Sequence, residues 1–226
     1  MKSSVILLGK EEEKLLNEVI DELLKCNLIN EIIVVTDDRK IDIDFERNNI
    51  KIKTLYQKEK GYGSAILEGY KEVKNSLAFI FNGDGSFDPK SIEEMMEKSK
   101  DSDFVFASRY LKNAGSDDDT IVTYVGNKIF SLIGNIFFGI KINDILYTYV
   151  LCNVKKFNEL RLSSKDFRLC VEMPIKIKNE NFSYTMVASR ERSRKSGYKK
   201  VNAIKDGFLI LTEMIKLFFK KNDRTI

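Results

Sequence analysis

The chain has 226 residues, 43% of them apolar, enough to bury a sizeable core and too apolar for a disordered or fibrous polypeptide. Its 38 Lys and Arg against 34 Asp and Glu leave a formal charge of only +4, spread along the chain rather than gathered in a basic arm, so nucleic acid is not the expected partner. Histidine is absent, which excludes Ser-His and Cys-His nucleophiles, His-ligated metals and imidazole proton shuttles, and leaves chemistry to carboxylates, Lys, Arg, Tyr or a hard metal ion.

In chain order, Val5 to Leu8 reads as a strand, and Glu11 to Leu24 sets Leu15, Leu16, Val19, Ile20, Leu23 and Leu24 on one helical stripe. Glu31 to Thr36 and Ile50 to Leu55 follow as strands, Gly63 to Lys74 as a helix, and Leu77 to Phe81 as a strand. Pro89 to Ser99 is helical and Phe104 to Ser108 is a strand. Beyond that come a long helix from about Thr120 to Phe138, a strand around Ile142 to Cys152 and a helix near Val171 to Lys178. A strand from Ser183 to Ala188, a basic loop and a closing helix from Ala203 to Lys220 complete the order. This alternation predicts an α/β fold, a Rossmann-like, mostly parallel sheet flanked by helices, followed by a more helical C-terminal half. Pro89 and Pro174 are the only prolines and no linker or repeat interrupts the chain, so a single unit over 1–226 is expected, with halves at about 1–110 and 111–226.

Cys26, Cys152 and Cys170 are odd in number and widely spaced, which argues against a disulfide framework or zinc site and fits a reducing, cytoplasmic setting. Only Val5 to Leu8 are consecutively apolar before Gly9, too few for a signal-peptide core. The most apolar stretches, Ile129 to Ile140 and Phe208 to Phe219, fall short of the roughly 20 residues that span a bilayer. The long helix nevertheless carries apolar residues over more than one stripe, and the last ends in Lys220, Lys221 and Arg224. Core packing explains this simply; peripheral contact with a membrane surface is the alternative.

Ligands of parallel sheets bind at the carboxyl ends of the strands. The segment Phe81-Asn82-Gly83-Asp84-Gly85-Ser86-Phe87-Asp88-Pro89 is an apolar strand entering a Gly-punctuated acidic turn. Asp88 caps the helix that follows, but Asp84 lies four residues before it and is free to hold Mg²⁺ or Mn²⁺, which take one or two protein carboxylates and complete their shell with water and phosphate. Gly61 and Gly63 in Lys60-Gly61-Tyr62-Gly63 bring backbone near a nucleotide or make a plain turn. Ser189 to Lys200 carries six basic residues and one acid, and suits a clamp on phosphate oxygens.

Together, VILLGKEEEKL, EIIVVTDD, KGYGSAILEGY, FNGDGSFDP, ASRYLKNAG, GNKIF, FGIKINDILYTY, VEMPIKI and RKSGYKKVNAIKDG, in that order, resemble family 2 glycosyltransferases of the GT-A type, and within them the short polyprenyl-phosphate sugar synthases similar to dolichol-phosphate mannose synthase. The resemblance covers nearly the whole chain. It implies a nucleotide-sugar donor met by Glu11, Asp37 (or its neighbour Asp38), Gly61, Gly63 and Asn82, and a metal held by Asp84 with Ser86 where relatives place a Gln. It further implies an acceptor phosphate bound by Arg109, and a donor-diphosphate loop of Arg194, Gly197 and Lys200. Mg²⁺ or Mn²⁺, a lipid-phosphate or glycan acceptor and inversion at the anomeric carbon are likewise implied.

Three departures qualify the match. Asn82 replaces the first aspartate of the family's D-x-D, Leu7, Gly9 and Lys10 replace its usual Pro, Tyr and Asn, and Asp117 to Thr123 lack a second basic residue. A phosphate acceptor needs no base; a sugar hydroxyl needs a carboxylate, for which Asp144 or one of Asp117 to Asp119 is available, unless Asp144 serves only to hold a loop. A sugar-1-phosphate nucleotidyltransferase and a nucleotide-sugar-binding protein without turnover are the competing readings.

Overall fold

The computed structural model describes residues 2–9, 12–195 and 203–222. Strands β1 (Ser3–Leu8), β2 (Ile29–Thr36), β3 (Phe45–Arg47), β4 (Ile50–Tyr56), β5 (Leu77–Asn82), β6 (Phe104–Ser108), β7 (Gly115–Ser116), β8 (Val150–Asn153), β9 (Tyr184–Ala188) and β10 (Arg190–Glu191) alternate with seven helices. These are α1 (Glu13–Leu23), α2 (Tyr62–Glu72), α3 (Ser91–Lys98), α4 (Ile121–Phe138), α5 (Val154–Glu159), α6 (Leu169–Asn179) and α7 (Ala203–Asn222). An eight-stranded sheet runs β3-β4-β2-β1-β5-β8-β6-β9, and β7 and β10 form a separate two-stranded ladder. The pairs β1/β2, β1/β5, β2/β4 and β6/β9 are parallel, whereas β3 joins β4, and β8 joins β5 and β6, in antiparallel fashion.

Both faces of the central strands are covered, which is why β1, β2, β5 and β6 read as continuous apolar runs rather than alternating ones. Val5, Leu7, Phe79 and Phe81 pack with α1 and α3 on one face, and Ile6, Ile33, Ala78 and Ile80 pack with α2, α6 and α7 on the other. The later part of the chain is the more helical, as expected, and β8 and β9 join the same sheet as the first five strands. The strand expected from Ile142 to Cys152 is confined to β8. Residues 142–149 form a loop beneath α4, where Asp144, Ile145 and Leu146 are held by side chains. The pieces β3, β7, β10 and α5 add to the expected order.

Helix α4 is inverted relative to a surface helix of a globular domain. Thr120 caps it, accepting from Thr123 N, and Gly139 ends it in the left-handed region at φ 69°. Its buried face is Asn127, Ser131, Gly134 and Phe138, while Ile121, Val125, Ile129, Leu132, Ile136 and Phe137 face outward, Ile121 at 84% exposure and Ile136 at 65%. Contrary to the length expectation, α4 is by length and composition apolar enough to cross a membrane. Its inner face is nonetheless bonded to the fold, with Ser131 Oγ accepting from Ile145 N at 3.2 Å and Asn127 Oδ1 from Leu146 N at 3.2 Å.

Candidate active site

Strand β1 lies between β2, reached through α1 on one face, and β5, reached after α2 on the other. It is the point where the winding reverses, and a crevice opens there at the strands' carboxyl ends. A cleft of about 490 Å³ occupies this position. Leu8, Gly9, Val35, Asn82, Gly83 and Asp84 line it from the sheet, Gln57, Gly61, Tyr62 and Ala65 from one side, Asp118, Asp119, Thr123 and Asn127 from the other, and Arg109, Arg194, Asp206 and Ile210 also border it.

Asp84 is built into the end of β5. Gly83 N donates to Leu8 O at 3.0 Å, and a Cβ at residue 83 would approach Leu16 Cδ2 to 2.5 Å, so glycine is what lets β1, β5 and α1 close at this point. Asp84 Oδ1 accepts from Ser86 N at 3.0 Å and from Ser86 Oγ at 2.7 Å. Its Oδ2 lies 3.5 Å from Arg194 Nη1. The basic segment is stitched down beside it, with Lys195 N donating to Asp84 O at 3.1 Å and Arg192 N to Ser86 O at 2.8 Å. Burial would lower the Arg194 pKa, but Asp84 and Asp118 raise it on balance, so the cation is firmly held. The acidic turn and the basic loop, more than a hundred positions apart, therefore meet at one point. Glu11, Gly197 and Lys200 lie outside the described residues.

Ser86 differs from its expected role as a metal ligand. It is 1% exposed and does not line the cleft; its hydroxyl is spent as a strut that orients Asp84. No cluster of three or more Cys, Asp or Glu side chains arranged for a metal exists among the described residues. The donor set that does face the cleft is Asp84 Oδ2 beside the Asn82 amide, which fits a Mg²⁺ or Mn²⁺ ion that takes one protein carboxylate and the rest of its oxygens from water and a diphosphate.

Asp144 is corrected from candidate base to structural anchor. It is 0% exposed and absent from the cleft wall, and both its oxygens are engaged. Oδ2 accepts from Arg109 N at 2.8 Å and Arg109 Nε at 2.9 Å, and Oδ1 accepts from Arg109 Nη2 at 2.7 Å and from Asn127 Nδ2. Arg109 reaches the cleft, but Nη1 is bonded to Glu191 Oε2 at 2.9 Å and its guanidinium lies 4.6 Å over the Tyr147 ring. Burial would lower its pKa; Asp144 and Glu191 outweigh that and raise it. The cation expected to seize an acceptor phosphate is thus already neutralised by two carboxylates. The acidic run of 117–119 is also paired: Asp117 with Arg190, Asp118 with Arg194, and Asp119 with Tyr110 Oη at 2.6 Å.

The glycines of Lys60-Gly61-Tyr62-Gly63 serve a different contact from the one expected. Gly61 has φ 136°, and a Cβ there would come within 2.1 Å of Lys165 O; at Gly63 it would come within 2.2 Å of Ser164 O. They admit the 164–166 loop against the start of α2, and of the two only Gly61 borders the cleft. Asp37 is half-buried at the end of β2 and does not border it. Asn82 does, its Oδ1 accepting from Tyr62 Oη at 3.4 Å. Sequence reasoning missed Gln57, Thr148, Phe167 and Cys170 on the wall; Thr148 sits in the FGIKINDILYTY segment but carries no charge or metal-ligand chemistry to single it out, and the other three stand outside the quoted segments. Only Tyr62, stacked on Phe167 at 4.9 Å, carried a signal, through its flanking glycines. Burial pushes the Cys170 thiol up to about 12, so it is not a nucleophile at neutral pH.

A family model described as glycosyl transferase family 2 matches residues 4–161. The dolichol-phosphate mannosyltransferase of Pyrococcus furiosus is 30% identical over 155 residues, 64% of this chain and 43% of that protein. The 2-phospho-L-lactate guanylyltransferase of Methanocaldococcus jannaschii is 30% identical over 105 residues, 46% of each. The chain thus spans about half the length, or less, of the curated relatives it matches. Among solved structures, glucosyl-3-phosphoglycerate synthase from Mycobacterium tuberculosis, in complex with Mn²⁺, UDP and glucosyl-3-phosphoglycerate, superposes with a TM-score of 0.66 at 12% identity, covering 96% of this chain and 79% of that one. That likeness establishes a shared GT-A architecture.

Proposed function

Since the chain belongs to glycosyl transferase family 2, we propose that it transfers a sugar from a nucleoside-diphosphate donor to a lipid-linked acceptor, with Mg²⁺ or Mn²⁺ at Asp84. The observation that carries this reading is the meeting of Asp84 and Arg194 over the crevice beside β1. A departing nucleoside diphosphate develops negative charge, and catalysis of its departure needs positive charge fixed where that charge appears. Arg194, now shared between Asp84 and Asp118, turns one donor to the diphosphate without leaving its place. Ser86 holds Asp84 so that Oδ2 faces the same oxygens. The divalent ion, when bound, supplies further charge against the diphosphate. In-line attack from the opposite side of the sugar inverts the anomeric centre.

On this reading the acceptor approaches along α4, which borders the cleft through Thr123 and the inner-face Asn127 and turns its apolar face outward beside that edge. That face continues onto α7, where Phe208, Leu211, Ile215 and Phe219 are exposed and Phe218 meets Phe137 at 5.8 Å. Exposed Lys205, Lys216 and Lys220 accompany it. An apolar patch bearing cations fits an anionic bilayer surface, on its cytoplasmic side, with the acceptor's head drawn into the cleft. With Arg109 neutralised, this surface rather than a phosphate clamp supports the lipid class of acceptor; polyprenyl phosphate and a glycolipid hydroxyl are the two forms to assay.

Isothermal calorimetry with nucleoside diphosphates tests the donor side. Binding that requires Mn²⁺ and weakens at least about tenfold in Asp84→Ala is expected; equal affinity with and without metal counts against the reading. Co-sedimentation with anionic vesicles tests the acceptor side, with loss of binding expected in the Ile129→Ser, Leu132→Ser, Ile136→Ser triple variant. Nucleotidyl transfer is the second reading, favoured by the similarity to a guanylyltransferase. Pyrophosphate release from a nucleoside triphosphate would select it.

A further inference from the structure

At the end of the cleft away from α4, Leu8, Val35 and Ala65 form an apolar slot beside the polar side chain of Gln57. Gln57 follows β4, its backbone N–H extending the β2/β4 ladder by donating to Thr36 O at 2.8 Å, and it is 8% exposed. Its Nε2 donates to Glu59 O at 3.1 Å and to Gly61 O at 3.0 Å. Both partners are carbonyls, which only accept, so the amide orientation is fixed by its surroundings. Both amide hydrogens are thereby used, and no described residue donates to Oε1. That oxygen is not among the sealed, unpartnered atoms of the interior, so its open side is the cleft.

Three strand steps separate β5, which bears Asp84, from β4, which leads to Gln57. At about 4.8 Å a step this is ~14 Å, comparable to the reach from a diphosphate through ribose to the far edge of a base. The apolar slot fits a planar ring, and the fixed acceptor fits an N–H on its edge.

We propose that Gln57 Oε1 selects the donor's nucleobase by accepting from a ring N–H, so that the site takes uracil or guanine. Uracil N3–H and guanine N1–H are donors. Cytosine N3 and adenine N1 are acceptors and set lone pair against lone pair in a ring held at the same place; their amino donors lie one position along the edge, out of line with Oε1 unless the ring shifts in the slot. The inference rests on the nucleoside-diphosphate reading of the cleft and names which diphosphates it accepts.

The experiment is calorimetric binding of UDP, GDP, CDP and ADP with Mn²⁺, together with N3-methyl-UDP and N1-methyl-GDP, to the wild-type chain and to Gln57→Leu. Expected in the wild type is a preference of about tenfold or more for UDP or GDP over CDP and ADP, lost when the ring nitrogen of the preferred base is methylated. In Gln57→Leu, which also removes two anchors of the 59–61 turn, UDP should lose its advantage over CDP and N3-methyl-UDP, and GDP its advantage over ADP and N1-methyl-GDP. The methylated ligands probe the same contact in the unaltered protein, so a folding defect in the variant does not decide the matter. Equal binding of methylated and unmethylated bases by the wild type, or a preference that persists in Gln57→Leu, overturns the assignment. Binding of no diphosphate at all overturns the donor reading itself, a different result from binding without base preference.

Discussion

Helices α1 and α4 are both two-faced, and they are turned in opposite senses. In α1, Leu15, Leu16, Val19, Ile20 and Leu23 are buried against the sheet and the polar residues face water. In α4, Asn127, Ser131 and Gly134 are inside, and the exposed side carries Ile129, Leu132, Ile136 and Phe137. The first helix is held by the hydrophobic effect, which has no preferred direction. The second packs Phe130, Ile133 and Phe138 along one edge and adds directional hydrogen bonds to one particular loop, because Gly134 lets Ile145 come within contact and Asn127 joins Asp144 to Leu146 N. The part of its apolar surface that its own fold leaves exposed, at Ile129, Leu132 and Ile136, is available for something else.

The contrast can be broken at three levels. Leu16→Asp, which buries an unpaired carboxylate in the α1 core, should cost more than about 4 kcal/mol and prevent folding, seen as loss of the cooperative denaturant transition. Asn127→Ala takes away the bond to Asp144 and the acceptor of Leu146 N, and should cost about 1–3 kcal/mol in the same measurement. Leu132→Ser, on the outer face of α4, should leave the melting temperature within about 2 °C of wild type, because the side chain is already in water. A cost at Leu132 as large as that at Asn127 would show that the outer face packs against the protein after all.

What the sequence disclosed follows the same division. Strands β1, β2, β5 and β6 were visible because burial on both faces leaves an unbroken apolar run. Phe45–Arg47, Gly115–Ser116 and Arg190–Glu191 were not, since two or three residues carry no period and Phe45–Arg47 is exposed throughout. Asp84 was legible from its place at the end of a strand; Asp88, expected to cap the next helix, instead accepts from Lys90 N at 3.1 Å in the turn before α3. Gln57 was not legible, because what makes it matter is a pair of carbonyls two and four residues on and a slot assembled from β1, β2 and α2. Asp144 stood in the right kind of motif, but only coordinates reveal that Arg109 and Asn127 use up both of its oxygens.

The small ladder between β7 and β10 joins the segment that leads into Arg194 to the segment that leads into α4. Arg190 and Asp117 brace the same junction from outside. A ligand that draws Arg194 off Asp118 loosens one side of this brace, and whatever settles against 117–119 tightens the other. Two ligands bound on either side of this brace are thereby linked: the factor by which the first alters the grip on the second equals the factor by which the second alters the grip on the first.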